Sequence, residues 1–134
     1  MPVPEDPSRP VGHDQLAGTL DRPVLRFDLA AELQRLLQDD AGQRGASSIT
    51  LVKHPDLRLV LIALRHGQTM SEHRANARIT VHVLQGWIRF RLPERIEDLR
   101  PGQVLVLDTG LVHDVHALED SAFLLTLAWP ASAS

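Results

Sequence analysis

Apolar residues recur along this chain with two different periods, and the change from one to the other falls between Asp40 and Ser48. On the N-terminal side, Leu29, Leu33, Leu36 and Leu37 stand at i, i+4, i+7 and i+8. That spacing lays them along one face of a helix, with Asp28 placed to cap the first turn. Asp39, Asp40, Gly42 and Gly45 then predict a flexible loop. From Ser48 onward the chain breaks into short apolar segments: ITLVK, LRLVLIAL, ITVHVLQ, WIRFRL, VLVL, HDVHAL and AFLLTLAW. Short strands with Gly or Pro between them predict a sandwich or barrel. The LQGW stretch at 84–87 reads as a tight hairpin.

Two of these strands are apolar on both faces. In LRLVLIAL, Leu57, Leu59, Leu61 and Ala63 alternate with Arg58, Val60, Ile62 and Leu64. In AFLLTLAW, Phe123, Leu125, Leu127 and Trp129 alternate with Ala122, Leu124, Thr126 and Ala128. A sheet with one face in water shows polar residues on that face. The outer face therefore needs a cover, from the helix, from a second subunit, or from both, and a homodimer is the expectation.

Composition narrows the classes further. Pro2, Pro4, Pro7 and Pro10 each delete a backbone donor, which predicts a mobile tail over 1–23 and leaves 24–134 as a single domain. A chain of 134 residues, 43% hydrophobic, suits one domain with a real core. The net charge is −3 and the 14 basic residues are scattered, so no nucleic-acid partner is expected. Cysteine is absent, which removes disulfides, thiolate nucleophiles and cysteine metal sites and fits a reducing compartment. The start lacks a basic n-region and an apolar h-region, and no apolar run is long enough to span a bilayer. A cytoplasmic protein with no membrane partner is the expectation.

Two segments in the second half carry the candidate chemistry. One runs from Gly67 through His73 to Gly86, the other from Gly102 through Gly110 to His113 and His116, and each reads as strand, turn, strand with a histidine beside the turn. Their spacing resembles the two signature motifs of the cupin superfamily, G-x5-H-x-H-x3-E-x6-G and G-x5-P-x-G-x2-H-x3-N, in which three His and the Glu bind a metal. Gly67, His73, Gly86, Gly102, Gly110 and His113 match. Ala75 stands at the second His position and Ile79 at the Glu position, while Asp108 replaces the proline and Ala117 the asparagine. The resemblance covers roughly Ile49 to Trp129. It implies an all-β fold, an RmlC-like jelly-roll barrel or double-stranded β-helix, with one short N-terminal helix.

The resemblance also supplies an anchor for reading the interior. If His73 points inward, as its match to a family ligand implies, strand alternation turns Ala75 inward too. Ile79, Val81 and Val83 then face in on the next strand, with Thr80 and His82 outside. On the second-motif strand His113, Val115 and Ala117 face in, with Asp114 and His116 outside. The expected pocket is apolar and contains two imidazoles. His82 and His116 read as polar residues on a solvated or dimer-facing surface, with adjacency across neighbouring strands as the alternative.

Two histidines are one ligand short of a zinc or non-heme iron site, and Asp108 is the candidate third ligand. The expectation is therefore a small organic ligand bound in an apolar pocket, with no cofactor or a weakly bound divalent metal. The barrel would act as a sensor, a carrier or an unassigned enzyme. The resemblance implies one alternative, a metal-dependent dioxygenase or isomerase using His73, His113 and a non-standard third ligand. The family's metal-free epimerases use a His base and a Tyr acid, and this chain has no tyrosine. A purely structural barrel is the remaining class. No G-x-S-x-G elbow, Walker loop, G-x-G-x-x-G or H-E-x-x-H motif occurs.

Overall fold

Asp28 closes the N-terminus of a helix, α1 (Leu29–Asp39), by accepting from Ala31 N at 3.1 Å through Oδ1 and from Glu32 N at 3.0 Å through its carbonyl. The computed structural model describes residues 22–39, 46–73 and 75–130, with backbone alone at Asp39, Glu72 and His73. The tail expected over 1–23, apart from its last two residues, lies outside the described residues, and so does the loop at Asp40, Gly42 and Gly45.

Nine strands follow: β1 (Ser47–Lys53), β2 (Leu57–Leu64), β3 (Thr69–His73), β4 (Arg78–Gln85), β5 (Ile88–Leu92), β6 (Arg95–Leu99), β7 (Val104–Leu107), β8 (His113–Ala117) and β9 (Ser121–Ala128). They form two antiparallel sheets, ordered β1-β2-β9-β4-β7 and β3-β8-β5-β6. Side-chain alternation sorts each strand into an inner and an outer row. The inner rows meet in one core, where Ile62, Ile79, Val81, Val83 and Phe123 of the larger sheet pack with Ile88, Phe90, Val115 and Ala117 of the smaller. This is the all-β jelly roll that the strand pattern and the resemblance led us to expect.

Gly86 corrects one expectation. The LQGW stretch is not a hairpin, because β4 pairs with β7 and β9 whereas β5 pairs with β6 and β8. The turn carries the chain from one sheet to the other. Gly86 sits at φ 90°, and a Cβ there would collide with Ser121 Oγ and Asp120 O. The tight β-hairpin lies later, where Leu92 pairs with Arg95 across Pro93 and Glu94.

The outer face of the larger sheet is covered in part by α1. Leu33 and Leu36 pack with Leu51, Val52, Leu61, Ala63 and Ala122 in a second apolar layer, which Leu25, Phe27, Leu59 and Leu124 extend. The helix stripe is rotated from the one read in the sequence. Leu37 is 43% exposed, while Glu32 is fully buried beside Leu33 and Leu36. Among the described residues neither carboxylate oxygen of Glu32 has a hydrogen-bond partner, and Arg35 Nη1, also without one, stands 3.7 Å away. Burial raises the Glu32 carboxyl above its ordinary value, against the lowering effect of Arg35.

A carboxyl that binds its proton more tightly in the fold than unfolded destabilises the fold as pH rises from below the ordinary glutamate range through its raised value. Glu32→Leu is expected to be more stable than the parent by roughly 1–3 kcal/mol at neutral pH. The difference should shrink on acidification, because the parent recovers stability once the carboxyl is protonated. Urea denaturation of both chains between pH 4 and 7 checks this. A variant that is less stable at neutral pH, or a difference independent of pH, contradicts it.

Candidate ligand cavity

The inner rows do not fill the barrel completely. They leave a cavity of about 140 Å³. The larger sheet contributes Ile62, Ile79, Phe123, Leu125 and Leu127 to its wall, the smaller sheet Met70, Phe90, His113 and Val115, and the link between β3 and β4 contributes Ala75. That link is held by Gly110, whose N–H donates to Ala75 O at 2.9 Å. The same contact ties the turn before β8 to the link, so His113 and Ala75 come to one end of the barrel.

His113 is 7% exposed and is the only polar side chain among the described residues that line the cavity. Its Nδ1 lies 3.1 Å from Leu111 O. A carbonyl can only accept, so Nδ1 carries the proton and Nε2 is the acceptor while the ring is neutral. Phe90 flanks it with ring centroids 6.0 Å apart at 33°, and Phe90 in turn meets Phe123 edge to face at 6.4 Å. The imidazole thus sits in an aromatic and aliphatic wall with its tautomer set by the backbone.

Of the eight residues the sequence assigned to the pocket, Ala75, Ile79, His113 and Val115 line the cavity. Val81, Val83 and Ala117 are buried in the same core without reaching it. His73 is placed by its backbone alone. Met70 pairs with Val115 and His73 with His113, so one extra residue is accommodated on β3 between them. The bulge sets His73, where a regular ladder would set Glu72, opposite His113.

Six of the ten wall residues were missed. Alternation had already sorted Ile62 onto one face of its strand, and Phe123, Leu125 and Leu127 onto one face of theirs. Both faces being apolar, nothing in the sequence said which one turned inward. Met70 and Phe90 hold no motif position, and only pairing with Val115 brings them to the wall.

Among the described residues the donors do not gather into a metal centre. Ala75 and Ile79 put carbon on the wall at the two positions where the family pattern has ligands. Asp108 does not line the cavity: it is 70% exposed, its Oδ1 lies 3.3 Å from Arg78 Nη1, and the same oxygen accepts from Thr109 N at 2.9 Å. Among the described residues no group of three or more His, Asp or Glu could hold a metal ion. The two outward histidines are also apart. His82 lies in the larger sheet and His116 in the smaller, so they cannot be neighbours across adjacent strands. His116 Nε2 instead stands 3.2 Å from Asp114 Oδ1, which is 3.4 Å from Arg91 Nε.

No family model matches the sequence, and no curated protein matches it. Solved structures do. A conserved Streptococcus pyogenes protein of unknown function superposes with a TM-score of 0.66 at 24% identity, over 81% of this chain and 90% of that one. A cupin superfamily protein from Desulfitobacterium hafniense gives 0.65 at 19%, over 81% and 94%. An RmlC-like cupin from Shewanella frigidimarina gives 0.60 at 16%, over 66% and 79%.

Untagged protein prepared without added metal is expected to carry well below one transition metal per chain by elemental analysis. Stoichiometric nickel, zinc, iron or manganese contradicts this. Ala75→His with Ile79→Glu places two donors on the cavity wall. Without metal this variant should be less stable than the parent by roughly a few kcal/mol, because its carboxylate is buried and unpaired. Divalent metal should then raise its thermal midpoint and leave the parent's unchanged.

Proposed function

We propose that this chain, a barrel of the cupin fold, binds a small organic ligand in its apolar cavity without a resident metal centre. The observation that carries the reading is the wall itself, which among the described residues is nine apolar side chains and one tautomer-fixed imidazole around about 140 Å³. An apolar cavity of about 150 Å³ takes up a benzene-sized molecule, whereas pockets for drug-sized ligands run to roughly 300–1,000 Å³. The ligand, or the part of it that enters, is therefore about the size of one aromatic ring. His113 gives it a polar contact, which orients it.

Calorimetry or ligand-observed NMR with toluene, phenol and indole tests this. Saturable one-site binding is expected. Val115→Phe and Ala75→Leu, which add bulk at two separate points of the wall, should each weaken it at least tenfold while the barrel stays folded by circular dichroism. No saturable binding, or binding indifferent to both variants, contradicts the reading.

Self-association belongs to the same proposal. The helix layer stops short of the β7 edge, where the outward Val104 and Val106 are 55% and 57% exposed. Their register partners on β4 are the uncharged Thr80 and His82 when the imidazole is neutral, and β7 itself carries no charge. Leu84 and Leu124 carry the apolar layer under α1 toward this strip. A second copy laid on it would continue that layer and cover the valines. Light scattering should give a dimer for the parent and a monomer for Val104→Lys with Val106→Lys. A monodisperse parent monomer at micromolar concentration contradicts it.

A further inference from the structure

Beyond the cavity wall, at the end of the barrel where His113 and Ala75 lie, one cation stands apart. Five arginines lie on the described strands. Four have a carboxylate: Arg78 with Asp108, Arg89 with Asp98, Arg91 with Asp114 and Arg95 with Glu97. Arg58 on β2 has none among the described residues, and its Nε is buried without a hydrogen-bond partner there. Alternation places it in the inner row, following Ile62 of the cavity wall and Val60 of the core. It pairs in register with Leu127, which lines the cavity. Its guanidinium lies 5.3 Å from the ring centroid of Trp129, the residue that follows the end of β9. Trp129 is in turn held by its N–H, which donates to Asp56 O at 3.0 Å.

We infer that Arg58 receives the carboxylate of the ligand, so that the substrate class is a small monocarboxylic acid with an apolar body in the cavity and its acid group at the rim. This rests on the cavity reading above. A guanidinium in an inner row is expensive to desolvate unless it is paired, and stacking on Trp129 offsets part of that cost while holding the planar donor fork in place. The fork matches the two oxygens of a carboxylate. Carboxylate is favoured over phosphate because, among the described residues, Arg58 is the one inner-row guanidinium at this end, enough for one negative charge, while Arg78 lies on the outer row of β4 and is paired with Asp108. The imidazole of His113 and the guanidinium of Arg58 then divide the work: the first meets a polar atom on the body of the ligand, the second its charge.

The test compares acids with neutral counterparts of the same shape. Benzoate, phenylacetate and 3-phenylpropionate would be titrated by calorimetry alongside their primary amides, with phenyl phosphate as the phosphate arm. At least one acid is expected to bind ten times or more tightly than its amide, with the preference falling as salt is raised. The chain length that binds best reports the separation between cavity and guanidinium. Arg58→Gln should cancel the preference and leave amide affinity within about twofold. Arg58→Lys should keep part of it, and thermal melts of both variants report whether the barrel is intact. Should Arg58→Gln not fold, the chain-length and salt dependence in the parent still decide.

Equal affinity of the parent for acids and amides overturns the assignment of Arg58 and leaves the cavity reading standing. A preference that survives in Arg58→Gln overturns it as well, and so does tighter binding of phenyl phosphate than of any acid. Binding of none of the compounds overturns both readings.

Discussion

The register between β2 and β9 is the constraint on which both the cavity and the outer layer depend. Eight consecutive pairs, from Leu57 with Ala128 to Leu64 with Ser121, run without a shift. A slip of one residue would exchange the two faces of a strand completely. Both faces here are apolar, so hydrophobicity does little to oppose the exchange, and polar contacts at the two ends set the register. At one end Ser121 Oγ accepts from Trp87 N at 3.0 Å and donates to Glu119 O at 2.7 Å. At the other, Trp129 N donates to Asp56 O. With those ends fixed, Ile62, Phe123, Leu125 and Leu127 turn to the cavity, while Leu61, Ala63 and Leu124 turn to the helix.

A sheet committed in this way requires two covers, and they differ in quality. The inner one is a second sheet whose apolar row matches it, with the cavity between the two. The outer one is a helix of eleven residues that brings a carboxylate into the layer. Deep burial of an acid with no hydrogen bond is a local conflict between pattern and packing. It makes the outer cover the less stable of the two, and among the described residues the helix layer does not reach β7. The cavity is insulated from this weakness, because α1 packs against the outer row of β2 and the wall is built from the inner one.

The architecture was more legible than the site. The spacing of Gly67, Gly86, Gly102 and Gly110 located four turns, and all four residues take positive φ between 79° and 90°. Glycine spacing survives translation into structure because it reports a backbone requirement that few other residues meet. The error at LQGW came from the same signal: a glycine says that the chain turns, and only the pairing partners of β4 and β5 say which sheet it turns into. The helix stripe was misread because Leu37 and Glu32 are both near its edge, and a count of apolar residues cannot expect a buried acid. Strand β6, with the sequence RIEDL, carries too little apolar character to be seen and is recognisable only from its ladder with β5. Arg58 was visible as the one charge in LRLVLIAL, yet it gains meaning only when its row is known to be the inner one.

Carbon at Ala75 and Ile79 changes what the barrel can discriminate. A site built on coordination recognises a ligand by donor atoms and charge, whereas an apolar wall recognises it by size and shape. One methylene more or less in such a wall is worth only about 1–3 kcal/mol, while a hydrogen-bonding group left unpaired costs a site far more of its selectivity. Under the proposed function, a cavity of this size with one described imidazole would therefore be a poor discriminator on its own, and the polar groups beside it would have to supply the rest. The core beyond the cavity is formed by Val81, Val83, Ile88 and Ala117, which offer no polar side chain, whereas His113 lines the cavity and Arg58 pairs in register with Leu127 of its wall. If the barrel binds the proposed ligand, its selectivity is set beside His113, whose tautomer the backbone fixes, and Arg58, the strand arginine that no carboxylate of the described residues has claimed.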